Sequence, residues 1–243
     1  MNILIFGATS DLANQIAHIH AAKGDSLFLT ARSQEQLDRI QKDLEVRYSI
    51  NIQGFVLDAR DFKTHPKILK EIQLEQIDWV YCVFGYLGKQ EEAQMNFEES
   101  RQIMEVNYLG AVSLLNPIAE VFAKKGKGNI IGISSVAGER GRMSNYLYGS
   151  AKAAFTNYLD GMRNRLAKQG VHVMTVKPGF MRTRMTEGLP LAGPLTATPD
   201  KAAKLIVDAA RKRKNTYYVL PIWRLIMLII RNIPESIFKK LSL

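Results

Sequence analysis

Short runs of β-branched and aromatic residues recur along the chain at "NILIF", "SLFLT", "IQGFVL", "IDWVYCV", "NIIGIS", "VHVMTV" and "TYYVL". Between most of them the apolar positions fall at helical spacing. That alternation predicts βαβ units. The runs are near-continuously apolar rather than alternating, as parallel strands covered by helices on both faces require. The expected architecture is a doubly wound α/β sheet of about seven strands with helices on both sides. No internal repeat or low-complexity linker interrupts the pattern.

Two segments depart from it. "EGLPLAGPLTATPD", Glu187 to Asp200, carries three prolines and two glycines, which predicts an irregular connection and a candidate substrate lid over residues 187–200. The other is "PIWRLIMLIIRNIPESIFKKLSL", Pro221 to Leu243. Its uninterrupted apolar run, Leu225 to Ile230, is far shorter than the roughly 20 residues that span a bilayer. Arg224 and Arg231 share one helical stripe, and beyond Pro234 the apolar Ile237, Phe238 and Leu241 stand opposite Lys239 and Lys240. Such a tail suits packing over a substrate pocket, packing against another subunit, or lying in the interface of an anionic membrane. The expected organisation is a single domain over 1–220 with a basic amphipathic extension over 221–243.

Composition narrows the function classes. A chain of 243 residues with 47% hydrophobic content buries one large core. The lone cysteine, Cys82, excludes an internal disulfide framework, and no secretory n-region or h-region precedes the first strand. The expected compartment is the cytoplasm, with peripheral contact at the inner face of the membrane as the tail's alternative. The net charge of +10 is unevenly spread: residues 1 to 200 hold 23 Lys and Arg against 21 Asp and Glu, and the remaining +8 belongs to residues 201 to 243. A nearly neutral body argues against a nucleic-acid footprint. His18, His20, His65 and His172 show no ligand spacing, so no metal site is expected.

The stretch "GATSDLA", Gly7 to Ala13, follows the first apolar run and stands where a dinucleotide-binding protein keeps its glycine-rich turn. A strand, a tight turn at Gly7 and a helix starting near Leu12 set backbone N–H groups and a positive helix end where an anion sits. Ala13 meets the need for close helix packing. Asp11 is the departure, since a carboxylate aimed inward repels phosphate. The expectation is that Thr9, Ser10 and the backbone hold the phosphates while Asp11 turns away as a capping acceptor. At the end of the second run, Arg32 stands where a binder of the ribose 2′-hydroxyl carries an acid, which points to NADP rather than NAD. Asp58, ending the third run, accepts from the adenine amino group or caps the next helix.

Further on, "SSVAGERGRMSNYLYGSAKAAF" places Tyr148 and Lys152 four apart on one helix face. A phenol with an ordinary pKa of about 10 is a poor acid-base catalyst at neutral pH, and an adjacent ammonium stabilises the phenolate and brings that value down. Ser135, at the end of the fifth run, has a hydroxyl suited to holding a substrate oxygen against the phenol. Asn107 is a polar amide within a helical stretch, a packing or kink feature unless a water binds there.

On these residues the chain resembles the short-chain dehydrogenase/reductase family. The matches follow in order: the turn at Gly7, Asp58, Asn107, Ser135, "YGSAK" from Tyr148 to Lys152, and "KPGFMRT" from Lys177 to Thr183. The resemblance implies a Rossmann fold, with Tyr148 as general acid/base and Lys152 lowering its pKa and binding the nicotinamide ribose. It implies that Ser135 orients the carbonyl, Asn107 holds a relay water, Pro178 and Gly179 shape the nicotinamide pocket, and Thr183 lies near the diphosphate or carboxamide. It also implies homodimers or homotetramers built on the helices around Asn107 and Tyr148. "CVFG", Cys82 to Gly85, departs from the family's Asn-Asn-Ala-Gly and keeps only Gly85. The tail, with "GATSDLA" and "FGYLG", is similar to a subgroup containing the reductase of the decaprenylphosphoryl-ribose epimerase system, which implies a keto-sugar on a polyprenyl phosphate; a sterol-like or acyl ketone is the alternative. The altered turn admits a different class, a non-catalytic dinucleotide sensor or scaffold, against which the Ser135, Tyr148 and Lys152 set argues.

Overall fold

All seven apolar runs become strands of one parallel sheet in the computed structural model, which describes residues 1–188, 190 and 192–241. In chain order the elements are β1 (Asn2–Phe6), α1 (Asp11–Ala21), β2 (Ser26–Ala31), α2 (Gln34–Tyr48), β3 (Ile52–Val56), α3 (His65–Ile72), β4 (Trp79–Cys82), α4 (Gln90–Met95), α5 (Phe97–Met104), α6 (Gly110–Lys125) and β5 (Gly128–Ile133). There follow α7 (Tyr146–Leu166), β6 (Val171–Lys177), β7 (Phe180–Met181), β8 (Thr196–Ala197), α8 (Pro199–Arg211), β9 (Thr216–Tyr218), α9 (Ile222–Asn232) and α10 (Glu235–Phe238). The main sheet runs β3-β2-β1-β4-β5-β6-β9, and β7 pairs with β8 in a small second sheet.

The strands are continuous in burial because both faces are covered. Ile3, Ile5, Leu27, Leu29 and Tyr81 point to the layer formed by α1, α2 and α8, while Leu4, Phe6, Phe28, Val80 and Ile130 point to the layer of α3, α6 and α7. Each covering helix supplies a stripe at helical spacing: Leu12, Ala13, Ile16 and Ala17 on α1, and Ala151, Phe155, Leu159, Met162 and Leu166 on α7. The run from Phe97 to Lys125 contains an 18-residue stretch long and apolar enough to cross a bilayer, with a mean hydropathy of 1.2. Its Leu114, Leu115, Ile118 and Phe122 are wholly buried against the sheet, which is the position of a core helix.

Strand order reverses between β1 and β4, so a crevice opens beyond their C-terminal ends. The two sequence departures, the single-glycine turn and "CVFG", face each other there. Gly7 has φ +82°, and a Cβ on it would stand 2.9 Å from the Phe84 backbone nitrogen and Cβ. Only glycine permits both that backbone and that approach.

Candidate active site

Ser10 caps α1, its Oγ accepting from the Ala13 N–H at 3.1 Å. Asp11 is not the cap that the sequence suggests. Its carboxylate accepts instead from Arg184, Oδ2 from the backbone N–H at 2.8 Å and Oδ1 from Nε at 3.1 Å, while Arg184 Nη2 donates to the Thr9 carbonyl. Arg184 belongs to a short helical turn, Arg184–Thr186, that begins at Thr183. Thr183 N–H donates to Thr186 Oγ1 at 3.2 Å. The segment leading into the expected lid, residues 187–200, is thereby anchored at this turn, and within the lid Thr196–Ala197 pairs with Phe180–Met181; Leu189 and Leu191 lie outside the described residues. A cleft of about 570 Å³ opens at this corner, lined in part by Thr9, Asp11, Asn14, Gln36, Arg39 and Arg184.

Arg32 is exposed immediately after β2, and Asp58 is exposed after β3. Asp58 Oδ1 accepts from the Arg60 N–H at 2.9 Å and the Asp58 carbonyl from His65 Nε2 at 2.9 Å, so the carboxylate closes a local turn.

The residues expected to be catalytic gather at the C-terminal end of β5. Strand register carries Ser134 and Ser135 past the sheet, and Ser134 Oγ donates to the Lys152 carbonyl at 3.0 Å, fixing α7 beside the strand. Ser135 Oγ accepts from the Ala137 N–H at 3.1 Å, and the Ser135 side chain is near enough to the Tyr148 phenol to oppose the rise in its pKa. Lys152 is buried, with Nζ 5.7 Å from the centre of the Tyr148 ring and donating to the Ile133 carbonyl at 3.0 Å.

Burial outweighs the neighbouring ammonium in the electrostatics of the pair. Burial pushes Tyr148 up to about 12 against the opposing Ser135 hydrogen bond, and burial also brings Lys152 down to about 8. The physical reason is that the ammonium lies beside the ring and bonds a carbonyl. Desolvation therefore governs both groups.

Asn107 sits in a π-helical turn, Glu105–Leu109, inserted between α5 and α6. Its Nδ2 donates to the carbonyls of Tyr86 at 2.6 Å and Ile103 at 2.8 Å, and its Oδ1 accepts from the Tyr86 N–H at 3.2 Å. The amide thus ties the β4–α4 loop to the helix. A Cβ on Gly85 would lie 3.1 Å from Asn107 Oδ1 and 3.5 Å from Lys152 Nζ, so Gly85 borders both. Cys82 is buried in β4 and its thiol pushed up to about 12 by burial, the state of a small core residue.

Pro178 and Gly179 follow β6, and the Pro178 carbonyl accepts from the Val136 N–H at 3.0 Å, joining their loop to the residue after Ser135. Gly179 lies under the tail. A Cβ there would fall 1.9 Å from Trp223 Nε1, whose N–H donates to the Leu195 carbonyl at 3.0 Å and whose ring meets Phe180 edge-on at 5.2 Å. The inner face of α9 is therefore a wall of the site.

Several residues here carried no sequence signal. Gln90 Nε2, Arg142 Nε and Asn145 Oδ1 are buried with no hydrogen-bond partner among the described residues. They cluster about the start of α7: Gln90 Oε1 accepts from the Leu147 N–H at 3.1 Å, and Asn145 precedes the helix. Buried polar atoms left unpaired call for a partner. Among the described residues no three His, Cys, Asp or Glu side chains are placed to hold a metal ion.

The residues fit a dinucleotide at the switch point. Gly7 leaves the turn bare, the N-terminus of α1 opens onto it, and the missing Cβ of Gly85 leaves room beside Lys152. Comparison with known proteins bears on the same assignment. The family described as "short chain dehydrogenase" matches residues 1–192. An uncharacterized oxidoreductase of Mycobacterium tuberculosis is 31% identical over 241 residues, covering 98% of this chain and 96% of its own. An NADP-dependent 3-hydroxy acid dehydrogenase of Schizosaccharomyces pombe is 26% identical over 232 residues, covering 88% of each. A short-chain dehydrogenase of Burkholderia cenocepacia, solved with NADP, superposes with a TM-score of 0.83 at 19% identity, over 100% of this chain and 97% of that one.

Proposed function

The chain belongs to the short-chain dehydrogenases, NAD(P)-dependent oxidoreductases, and from that premise we propose that it is an NADPH-dependent carbonyl reductase acting on an amphiphilic ketone. The observation that carries the reading is the convergence of Ser135, Tyr148 and Lys152 at the end of β5, with Lys152 Nζ 5.7 Å from the centre of the phenol ring. NADPH, when bound, supplies the hydride that reaches the carbonyl carbon. Ser135 holds the carbonyl oxygen toward Tyr148. With its pKa near 12, the phenol keeps its proton at neutral pH and has one to give as the oxygen gains charge. Lys152, near 8, is still largely protonated there and stabilises the phenolate left behind. Asn107 holds Gly85 and Tyr86 in place beside the lysine and, in this reading, the relay water.

NADPH over NADH is supported by exposed Arg32 after β2, in the place of a ribose-binding acid, and by the NADP named for the yeast relative and the Burkholderia structure. An amphiphilic substrate is supported by the two kinds of wall. Gln90, Arg142 and Asn145 each hold a buried, unpaired polar atom by α7, while Phe180, 37% exposed and packed edge-on against the buried Trp223, presents apolar surface under α9. A keto-sugar on a polyprenyl phosphate is one member of that class. Pairing of subunits along α6 and α7 is part of the same reading, with Leu109 and Tyr146 exposed there.

Tyr148→Phe tests the chemistry. NADPH consumption with a ketone panel is expected to fall by roughly 10²–10⁴ while NADPH binding, followed by fluorescence, stays unchanged. Turnover at the wild-type rate overturns the assignment. NADPH binding by wild type without turnover of any ketone favours the sensor or scaffold instead.

A further inference from the structure

Helix α9 is apolar on nearly every side, and only one of its faces is covered. Trp223 and Met227 are buried, with Ile226 and Ile230 beside them, against Val136, Leu195, Tyr218 and Leu220. The opposite face presents Ile222, Leu225, Leu228 and Ile229, which are 43%, 54%, 58% and 59% exposed. At about 100° per residue these four fall within an arc of about 120°. Arg224 and Arg231 border that arc on one side, both exposed. Beyond the turn at Pro234, Ile237 and Leu241 remain 53% and 40% exposed, beside exposed Lys239 and Lys240.

The surface is held in one shape. Arg140 Nη1 donates to the carbonyls of Ile230 at 2.5 Å and Ile233 at 2.7 Å, its Nη2 pairs with Glu235 at 3.0 Å, and its guanidinium lies 3.6 Å from the centre of the Phe238 ring. This clasp fixes α10 against the end of α9 and neutralises Glu235, the one acid between residues 221 and 243. A contiguous row of exposed aliphatic side chains rimmed by cations is an interaction surface rather than ordinary protein exterior.

We infer that the outer face of α9 and α10 docks on a bilayer containing anionic phospholipid. Charge selects that occupant. The tail that forms this face, residues 221 to 243, carries Arg224, Arg231, Lys239 and Lys240 against Glu235, a net +3, so a two-fold contact with a second copy sets this charge against itself, whereas an anionic bilayer attracts it and takes up the aliphatic row. The inner face of the same helix covers Gly179 and touches Val136, the residue after Ser135. Docking therefore brings the wall of the site to the lipid surface.

Vesicle flotation of the full chain tests this, using phosphatidylcholine alone and phosphatidylcholine mixed with phosphatidylglycerol. Wild type is expected to float with the mixed vesicles at low salt, not with phosphatidylcholine alone, and to be released at about 1 M salt, where the Debye length is roughly 3 Å. Leu225→Glu with Leu228→Glu is expected to lose at least about tenfold in binding, and Arg224→Ala with Arg231→Ala roughly tenfold. NADPH titration of each variant reports whether it is folded and keeps the result separate from the catalytic reading. Wild type that fails to float with mixed vesicles overturns the proposal. So does a folded aliphatic or arginine variant that floats as wild type does. A change of oligomeric state by light scattering on Leu225→Glu with Leu228→Glu also overturns it, by assigning the face to a second copy.

Discussion

Asp11 and Arg184, 173 positions apart, hold each other by two hydrogen bonds across the mouth of the phosphate turn. The pair accounts for a carboxylate at a position where glycine is usual, since a bound guanidinium cancels its charge. Arg184 is 67% exposed and Asp11 30%, so the contribution to folding is below about 1 kcal/mol. Arg184→Ala removes the guanidinium and leaves the carboxylate held only by the backbone N–H of residue 184, its charge uncompensated, and the NADPH dissociation constant is expected to rise about fivefold with little change in Tm. Adding Asp11→Asn is expected to restore binding. Unchanged affinity in Arg184→Ala removes the pair from any part in cofactor binding.

Lys152 and Tyr148 give opposite signs in the pH dependence of stability. The folded protein sheds the Lys152 proton near 8, whereas the ordinary lysine value is 10.5. Between these values the unfolded chain binds more protons, so stability rises with pH. Tyr148 behaves in reverse, because between 10 and about 12 the folded protein keeps a proton that the unfolded chain has lost, and stability falls. Lys152→Met is expected to raise Tm at pH 7 by about 3 °C or more and to abolish the difference from wild type above pH 10. Ketone reduction by wild type is expected to decline as pH rises past about 8, as the charge beside the phenol is lost. Thermal melts and initial rates over that range check both.

Arg32 governs the choice of dinucleotide in the proposed reading. Removing one charge-assisted pair with a 2′-phosphate, worth about 1.5–3 kcal/mol, is expected to weaken NADPH binding by tenfold or more and to leave NADH binding unchanged. Parallel fluorescence titrations of Arg32→Ala with the two cofactors read this directly. An equal loss for both assigns Arg32 to folding rather than selection.

Gly179 and Trp223 fit because one lacks what the other occupies. Trp223→Ala removes a buried ring and its bond to Leu195, a loss of about 3–5 kcal/mol, and Tm is expected to drop by about 6 °C or more. Gly179→Ala forces the indole out, since its Cβ falls 1.9 Å from Nε1, and is expected to impair ketone turnover more than NADPH binding. Steady-state kinetics with each substrate varied separates the two.

The sheet was legible because parallel strands buried on both faces read as unbroken apolar runs, and Tyr148 and Lys152 because a helix converts a spacing of four into one face. The rest depends on chain segments that no local pattern connects. Arg184 is one basic residue among many until the fold sets it against Asp11. Arg142, Gln90 and Asn145 look like solvated polar residues, and their burial without partners follows only from how α4 and the loop before α7 close on each other. Trp223 reads as one more apolar position of an amphipathic tail; its seat on Gly179 requires β6 and α9 to meet. How strongly Lys152 acts on Tyr148 is not legible in the spacing, which shows proximity and not where the ammonium's hydrogen bond goes.

The π turn at Glu105–Leu109 has a consequence for how the chain tolerates change in length. It contains one residue more than regular α-helix would need, and Asn107 occupies it. A π turn absorbs its extra residue locally, so removing one of the five closes it to regular helix and leaves Leu114, Leu115, Ile118 and Phe122 facing the sheet they are buried against. Removing a residue from within α6 finds no such slack and turns the side chains on either side of the deletion about 100° out of register. The turn that presents the Asn107 amide to Tyr86 is thus a place where this long helix can lose a residue without taking the core out of phase.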